Sequence, residues 1–277
     1  MNYLNLIPRE SSKSFILKAG EDPLENGKNL LSKYYEISRQ LFNRENRYTI
    51  YLEPGTFDLG KSSLVLNYQC IDIIGLDEKD RSVITSDIGV ENNGTINQLK
   101  DDVVLRNLTI KNTNLSYISL WHTENLSRED KRYFQDRLNL LPSAYFRNIG
   151  PGENFGYTYI ENVNFITLKE SVQSMRIGTT YNGTYNNVYA GNYSFGAFGW
   201  VNGTFTNCIG GFLSFGFAGI EVNGNFENCH AREASFGIQA TQIKGTFKNC
   251  SNYGYTFGQD SLENKGIYIN CVTHPYV

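Results

Sequence analysis

Short runs of alternating apolar and polar residues, broken by Gly and Asn, fill this chain, and in its last third they recur with a fixed period. Gly203-Thr204-Phe205-Thr206-Asn207-Cys208 returns as Gly224-Asn225-Phe226-Glu227-Asn228-Cys229. It returns again as Gly245-Thr246-Phe247-Lys248-Asn249-Cys250 and Gly266-Ile267-Tyr268-Ile269-Asn270-Cys271, with the cysteines 21 residues apart each time. A looser copy, Gly183-Thr184-Tyr185-Asn186-Asn187-Val188, lies 20 residues before the first. A second phrase keeps the same beat: Ser194-Phe195-Gly196, Ser214-Phe215-Gly216, Ser235-Phe236-Gly237 and Thr256-Phe257-Gly258. Such a period marks units that bury their apolar face only by stacking on their neighbours.

The unit is too short for two helices with turns, and it lacks a leucine consensus. Three short strands fit, around residues 204–207, 213–215 and 220–222, because these segments are rich in Phe, Ile, Val and Thr and punctuated by Gly and Asn. Coils of this kind stack at about 4.8 Å per rung. Equivalent residues then form columns, with Phe205, Phe226, Phe247 and Tyr268 in one and Phe195, Phe215, Phe236 and Phe257 in another. The Asn column is expected at a bend, passing amide hydrogen bonds from rung to rung. The crossover rule makes the winding right-handed. The predicted fold is all-β, a single-stranded right-handed parallel β-helix of about 21 residues per coil.

Earlier in the chain, Leu30, Tyr34, Ile37 and Leu41 fall on one face of a helix predicted over residues 24–42. Placed before the coils, it would plug the open end of the solenoid. This divides the chain into a lead-in with capping helix, 1–45, and a β-helix, 46–277. Residues 114–155 break the beat and are expected to form a lateral insertion with a short helix opened by Ser127-Arg128-Glu129-Asp130.

Between these parts, Tyr48-Thr49-Ile50-Tyr51-Leu52 runs into Glu53-Pro54-Gly55-Thr56-Phe57, then Ile71-Asp72-Ile73-Ile74-Gly75, Val83-Ile84-Thr85-Ser86 and Val103-Val104-Leu105-Arg106-Asn107-Leu108-Thr109-Ile110-Lys111-Asn112-Thr113. This order resembles the opening coils of the pectin-lyase-like superfamily, with pectinesterases nearest in wording. The resemblance covers roughly residues 45–115 and implies the β-helix fold, which hosts lyases, hydrolases, esterases and inert virion proteins.

Composition narrows the function classes. Of 277 residues, 25 are basic and 28 acidic, giving a net charge of −3 without a basic stripe, so nucleic acid is not an expected partner. No apolar run reaches membrane-spanning length. The first residues lack the apolar core of a secretory signal, which predicts synthesis in the cytoplasm. Five cysteines are an odd number, and four of them stack with parallel side chains too far apart for a disulfide. They read as free buried thiols. No Cys-x-x-Cys spacing or aspartate-rich cluster points to a metal, and no cofactor motif is present.

Three groups could carry chemistry. Gln259-Asp260-Ser261-Leu262 resembles the Gln-Asp-Thr-Leu of pectinesterases. That resemblance implies an oxyanion role for Gln259 and an acid/base role for Asp260, but the family's next motif, which carries the nucleophilic Asp, has no counterpart. Glu221, Gln242 and Glu263 occupy equivalent positions, and two carboxylates two rungs apart lie about 9.6 Å from each other. That is near the roughly 6.5–9.5 Å of inverting glycosidases, although a solvated polar column at a turn has the same pattern. His230, Arg232 and Glu233 replace small or apolar residues of neighbouring coils and should stand on the surface. In the insertion, Trp121, His122 and Tyr133 could stack on sugars or anchor a protein interface.

Two readings follow. The main one is a structural or receptor- and glycan-binding component of a larger assembly, such as a phage tail spike, fibre or decoration protein. In that reading other subunits or a second copy cover the final coil, and a surface polysaccharide is a further partner. The alternative is a polysaccharide-degrading hydrolase, lyase or esterase using paired carboxylates.

Overall fold

The computed structural model describes residues 13–40, 46–88, 94–98, 102–114, 144–146, 158–167, 180–181, 183–192, 194–196 and 199–275. They form a parallel β-helix. Its longest sheet stacks Lys13–Leu17, Tyr48–Leu52, Ile71–Gly75, Val103–Asn112, Thr158–Thr167, Gly183–Tyr189, Thr204–Thr206, Asn225–Glu227, Thr246–Lys248 and Ile267–Ile269 in that order, all parallel. Past a bend, Ile209–Phe212, His230–Glu233, Ser251–Tyr253 and Val272–His274 continue the same coils. A third wall pairs Thr180–Tyr181, Trp200–Val201, Glu221–Val222, Gln242–Ile243 and Glu263–Asn264.

The bend is made by asparagine. Asn107, Asn162, Asn187, Asn207, Asn228, Asn249 and Asn270 all have positive φ, between 51° and 55°, which Asn tolerates better than other side chains. Their amides ladder between rungs: Asn228 Nδ2 donates to Asn207 Oδ1 at 3.2 Å, and Asn249 donates to Asn228 at 3.2 Å. The residue after the bend turns inward. Cys208, Cys229, Cys250 and Cys271 are free thiols, each donating to a carbonyl of the preceding coil, at 3.3 Å from Cys208 to Tyr185 and 3.4 Å from Cys229 to Phe205. Burial pushes the Cys229 thiol well above its ordinary range.

Two aromatic stacks fill the core of the later coils. Tyr185, Phe205, Phe226, Phe247 and Tyr268 lie 4.7 to 5.0 Å apart, centroid to centroid. Phe195, Phe215, Phe236 and Phe257 lie 4.5 to 4.8 Å apart. The stacks meet edge to face, as ring quadrupoles favour.

Four sequence expectations need correction. The second strand of the repeat is Ile209–Phe212, not 213–215, because the asparagine bend uses so few residues that the strand restarts at once. Leu213 and Phe215 then have φ of 54° and 51°, so the Ser-Phe-Gly phrase is a turn whose ring drops into the core. The lead-in is part of the sheet, since Lys13–Leu17 pairs with Tyr48–Leu52. Part of the expected insertion belongs to a coil: Ala144–Phe146 pairs with Ile96–Gln98 in a three-stranded sheet. The helix α1 spans Pro23–Ser38, with Asp22 as its N-cap, and ends before the predicted limit. The remainder of the insertion, with Trp121, His122 and Tyr133, lies outside the described residues.

Helix α1 lies against the first coil. Its Leu30, Tyr34 and Ile37 join the core, and Asn26 Nδ2 bonds the carbonyls of Gly20 at 3.0 Å and Thr56 at 2.9 Å.

Candidate glycan-binding face

Strand alternation decides which side chains leave the core. In the third wall Val201, Val222 and Ile243 are fully buried, so Trp200, Glu221 and Gln242 point outward, and Glu263 continues their column. Trp200 is half-buried. Ile220 and Leu262, the residues before the two glutamates, are exposed, with Leu262 at 85%. The outer face thus carries an aromatic ring, two carboxylates and an amide in one line along the solenoid axis, bordered by apolar side chains.

Both carboxylates have lysine neighbours. Lys244 lies 3.7 Å from Glu221, and Lys265 pairs with Glu263, which also accepts from Gln242 Nε2. The Lys265 hydrogen bond, helped by Gln242, holds the Glu263 carboxyl below its ordinary value of 4.5. Glu263 therefore stays a hydrogen-bond acceptor at neutral pH, the opposite of what a general acid requires.

Gln259 and Asp260 sit in the turn that leads into Glu263–Asn264. Asp260 has φ 57°, like Gln239 at 58° and Ala218 at 44° in the preceding coils. Gln259 Oε1 accepts from Thr256 N at 3.2 Å and Thr256 Oγ1 at 3.3 Å, so its amide closes its own turn. His230 and Arg232 are exposed on a different wall, beyond the aromatic stacks. His230 Nδ1 is 2.8 Å from Ser251 Oγ. Glu233 is the half-buried end of that strand. The structure thus joins Glu221 and Glu263 on one face, sets Gln259 and Asp260 in the turn before it, and leaves the His230–Glu233 group elsewhere.

Two features were missed in the sequence. Trp200 precedes Glu221 by the repeat length and stands three residues before Gly203, as Glu221 stands three before Gly224, so the repeat itself carried the signal. The other is a buried charge cluster: Arg47 forks onto Asp72 at 2.9 and 2.5 Å and reaches Asp102 Oδ1 at 2.6 Å. Burial pushes the Asp72 carboxyl up, against the pull of Arg47. Val104 N also donates to Asp72, at 3.1 Å. With its partners satisfied across three rungs, this cluster is a structural staple. Asp72 inside the apolar run Ile71-Asp72-Ile73-Ile74 was its visible trace.

No family model matches the chain, and no curated protein matches it. Among solved structures it is similar to a pectin methylesterase in complex with a hexasaccharide, at 12% identity over 88% of each chain with a TM-score of 0.49. It is also similar to a pectin methylesterase from Yersinia enterocolitica, at 11% identity over 88% of this chain and 93% of that one, with a TM-score of 0.44.

Proposed function

We propose that the protein engages a polysaccharide lengthwise along its third wall. The observation that carries this reading is the in-register line of Trp200, Glu221, Gln242 and Glu263. Trp200 offers an apolar platform for a sugar face, and the polar side chains offer hydrogen-bond partners for hydroxyls. The rise of about 4.8 Å per rung is comparable to one pyranose unit of an extended chain, so successive sugars meet successive side chains. This face supports the polysaccharide-directed part of the sequence readings. A place in a virion draws no support from it.

Hydrolysis is the second reading, favoured by the two-rung separation of Glu221 and Glu263. Glu263, kept ionised, would be the base, with Glu221 as the second carboxylate of the pair.

Affinity electrophoresis through a panel of neutral and acidic polysaccharides, with reducing-end and unsaturated-uronate detection, separates the readings. Wild-type protein should be retarded by at least one glycan, and Trp200→Ala should bind it about tenfold more weakly or worse. Binding without new chain ends supports a binding module. Chain ends that vanish in both Glu221→Gln and Glu263→Gln support the hydrolase. Absence of retardation and cleavage across the panel would overturn both.

The pH profile follows from Glu263. The Lys265 hydrogen bond holds this carboxyl below the ordinary value, so the Glu263 contribution to binding should be lost at a lower pH than that of an unpaired glutamate. Lys265→Ala removes the main cause, so the loss should move to higher pH.

A further inference from the structure

The coil that holds Glu263–Asn264, Ile267–Ile269 and Val272–His274 departs from the surface pattern of the coils before it. On the outer face of the long sheet, Thr204, Asn225 and Thr246 form one column in register, and Thr206, Glu227 and Lys248 form another. The next coil puts Ile267 and Ile269 at those two positions, both exposed, with Ile267 at 57%. Leu262 and Val272, elsewhere on the same coil, are exposed as well. Large apolar side chains gathered on one coil mark an interaction surface.

The backbone of this strand is paired on one side. Ile267 N donates to the Gly245 carbonyl at 3.0 Å, and the Ile269 carbonyl accepts from Asn249 N at 2.8 Å, so both residues bond back to the preceding coil. Alternation then aims the N–H and C=O of Tyr268 the other way, where no strand pairs among the described residues. The Tyr268 ring stacks on Phe247 at 5.0 Å, and its hydroxyl donates to Asn264 Oδ1 at 2.9 Å. Its column equivalents Phe226 and Phe247 are buried, whereas Tyr268 is only half-buried.

We propose that this edge pairs with the same edge of a second copy of the chain, tail to tail about a two-fold axis at Tyr268. The strand is its own complement under that operation. Tyr268 faces Tyr268 of the second copy as a hydrogen-bonded antiparallel pair, each N–H donating to the other's C=O. Ile267 stands opposite Ile269 of the second copy and Ile269 opposite Ile267, so four isoleucines meet on the outer face while the tyrosine rings continue the core stack. Charge favours an identical partner. Such a partner presents the same charges, and residues 266–273 carry none, whereas Glu227 and Lys248 charge the equivalent strands of the two preceding coils. Size is also adequate, since one 21-residue coil matches the roughly 20–30 residues that each side of a stable interface contributes. The pairing consumes the edge of both copies, so association stops at the dimer.

Sedimentation of the full chain over a range of concentrations should show a monomer–dimer equilibrium. Ile267→Lys with Ile269→Lys sets lysine against lysine in both outer pairs and should weaken the dimer about tenfold or more. Its far-UV spectrum should not change, because both side chains are exposed. Ile267→Glu with Ile269→Lys sets glutamate against lysine in the same pairs, and should associate more tightly than the double-lysine variant. Trp200→Ala should leave the dimer intact, which separates this proposal from the polysaccharide face. A monomer at every concentration, a dimer indifferent to both double variants, equal weakening by the two, or growth beyond the dimer would overturn the proposal.

Discussion

At Asn252 the chain puts an amide where the two preceding coils put a hydrogen atom and a methyl group. The position is in register with Gly210 and Ala231 and points into the core, fully buried. Neither amide atom has a hydrogen-bond partner among the described residues. An unpaired buried polar group costs about 1–3 kcal/mol. Asn252→Ala should therefore raise the urea midpoint, with a gain of roughly 1 kcal/mol after the smaller side chain leaves some space. A lowered midpoint would mean that the amide holds a buried water. The same residue scale shows where sequence reading stops. Asn252 sits in the repeat, yet alternation alone marks it as inward without saying whether its amide is satisfied.

The elements derive their strength from the columns. Phe226 stacks on Phe205 and Phe247 and meets Phe215 and Phe236 edge-on. Phe226→Ala should cost about 3–5 kcal/mol by the cavity it leaves, measured by chemical denaturation. Thr246→Ala, on the outward side of the adjacent strand, should change stability by less than about 0.5 kcal/mol. Both stacks were legible in the sequence because each ring recurs at the repeat length. The strand limits were not, because a phenylalanine at positive φ is uncommon, and nothing local marks Phe215 as a turn residue. Trp200 was legible by the same recurrence as the rings, since it stands three residues before Gly203 as Glu221 stands three before Gly224.

For the whole molecule, the first coil depends on its cap. A Cβ on Gly27 would lie 1.9 Å from the Asp58 carbonyl oxygen, so α1 rests directly on the backbone of Thr56–Asp58. Gly27→Ala should lift the helix, cost about 1–3 kcal/mol, and increase binding of a hydrophobic dye to the uncovered core. Capping was predictable from the helical stripe, whereas the hydrogen bond from Asn162 to the Glu78 carbonyl was not, since it joins residues 84 apart in sequence. The thiol column has a consequence for how such a molecule comes apart. Cys208, Cys229 and Cys250 are chemically matched probes, each shut inside a different coil and each reachable only when that coil opens. Their relative alkylation rates would record, coil by coil, whether the solenoid frays from one end or lets go all at once. The protein thus carries its own graduated scale of local opening, with no foreign label needed.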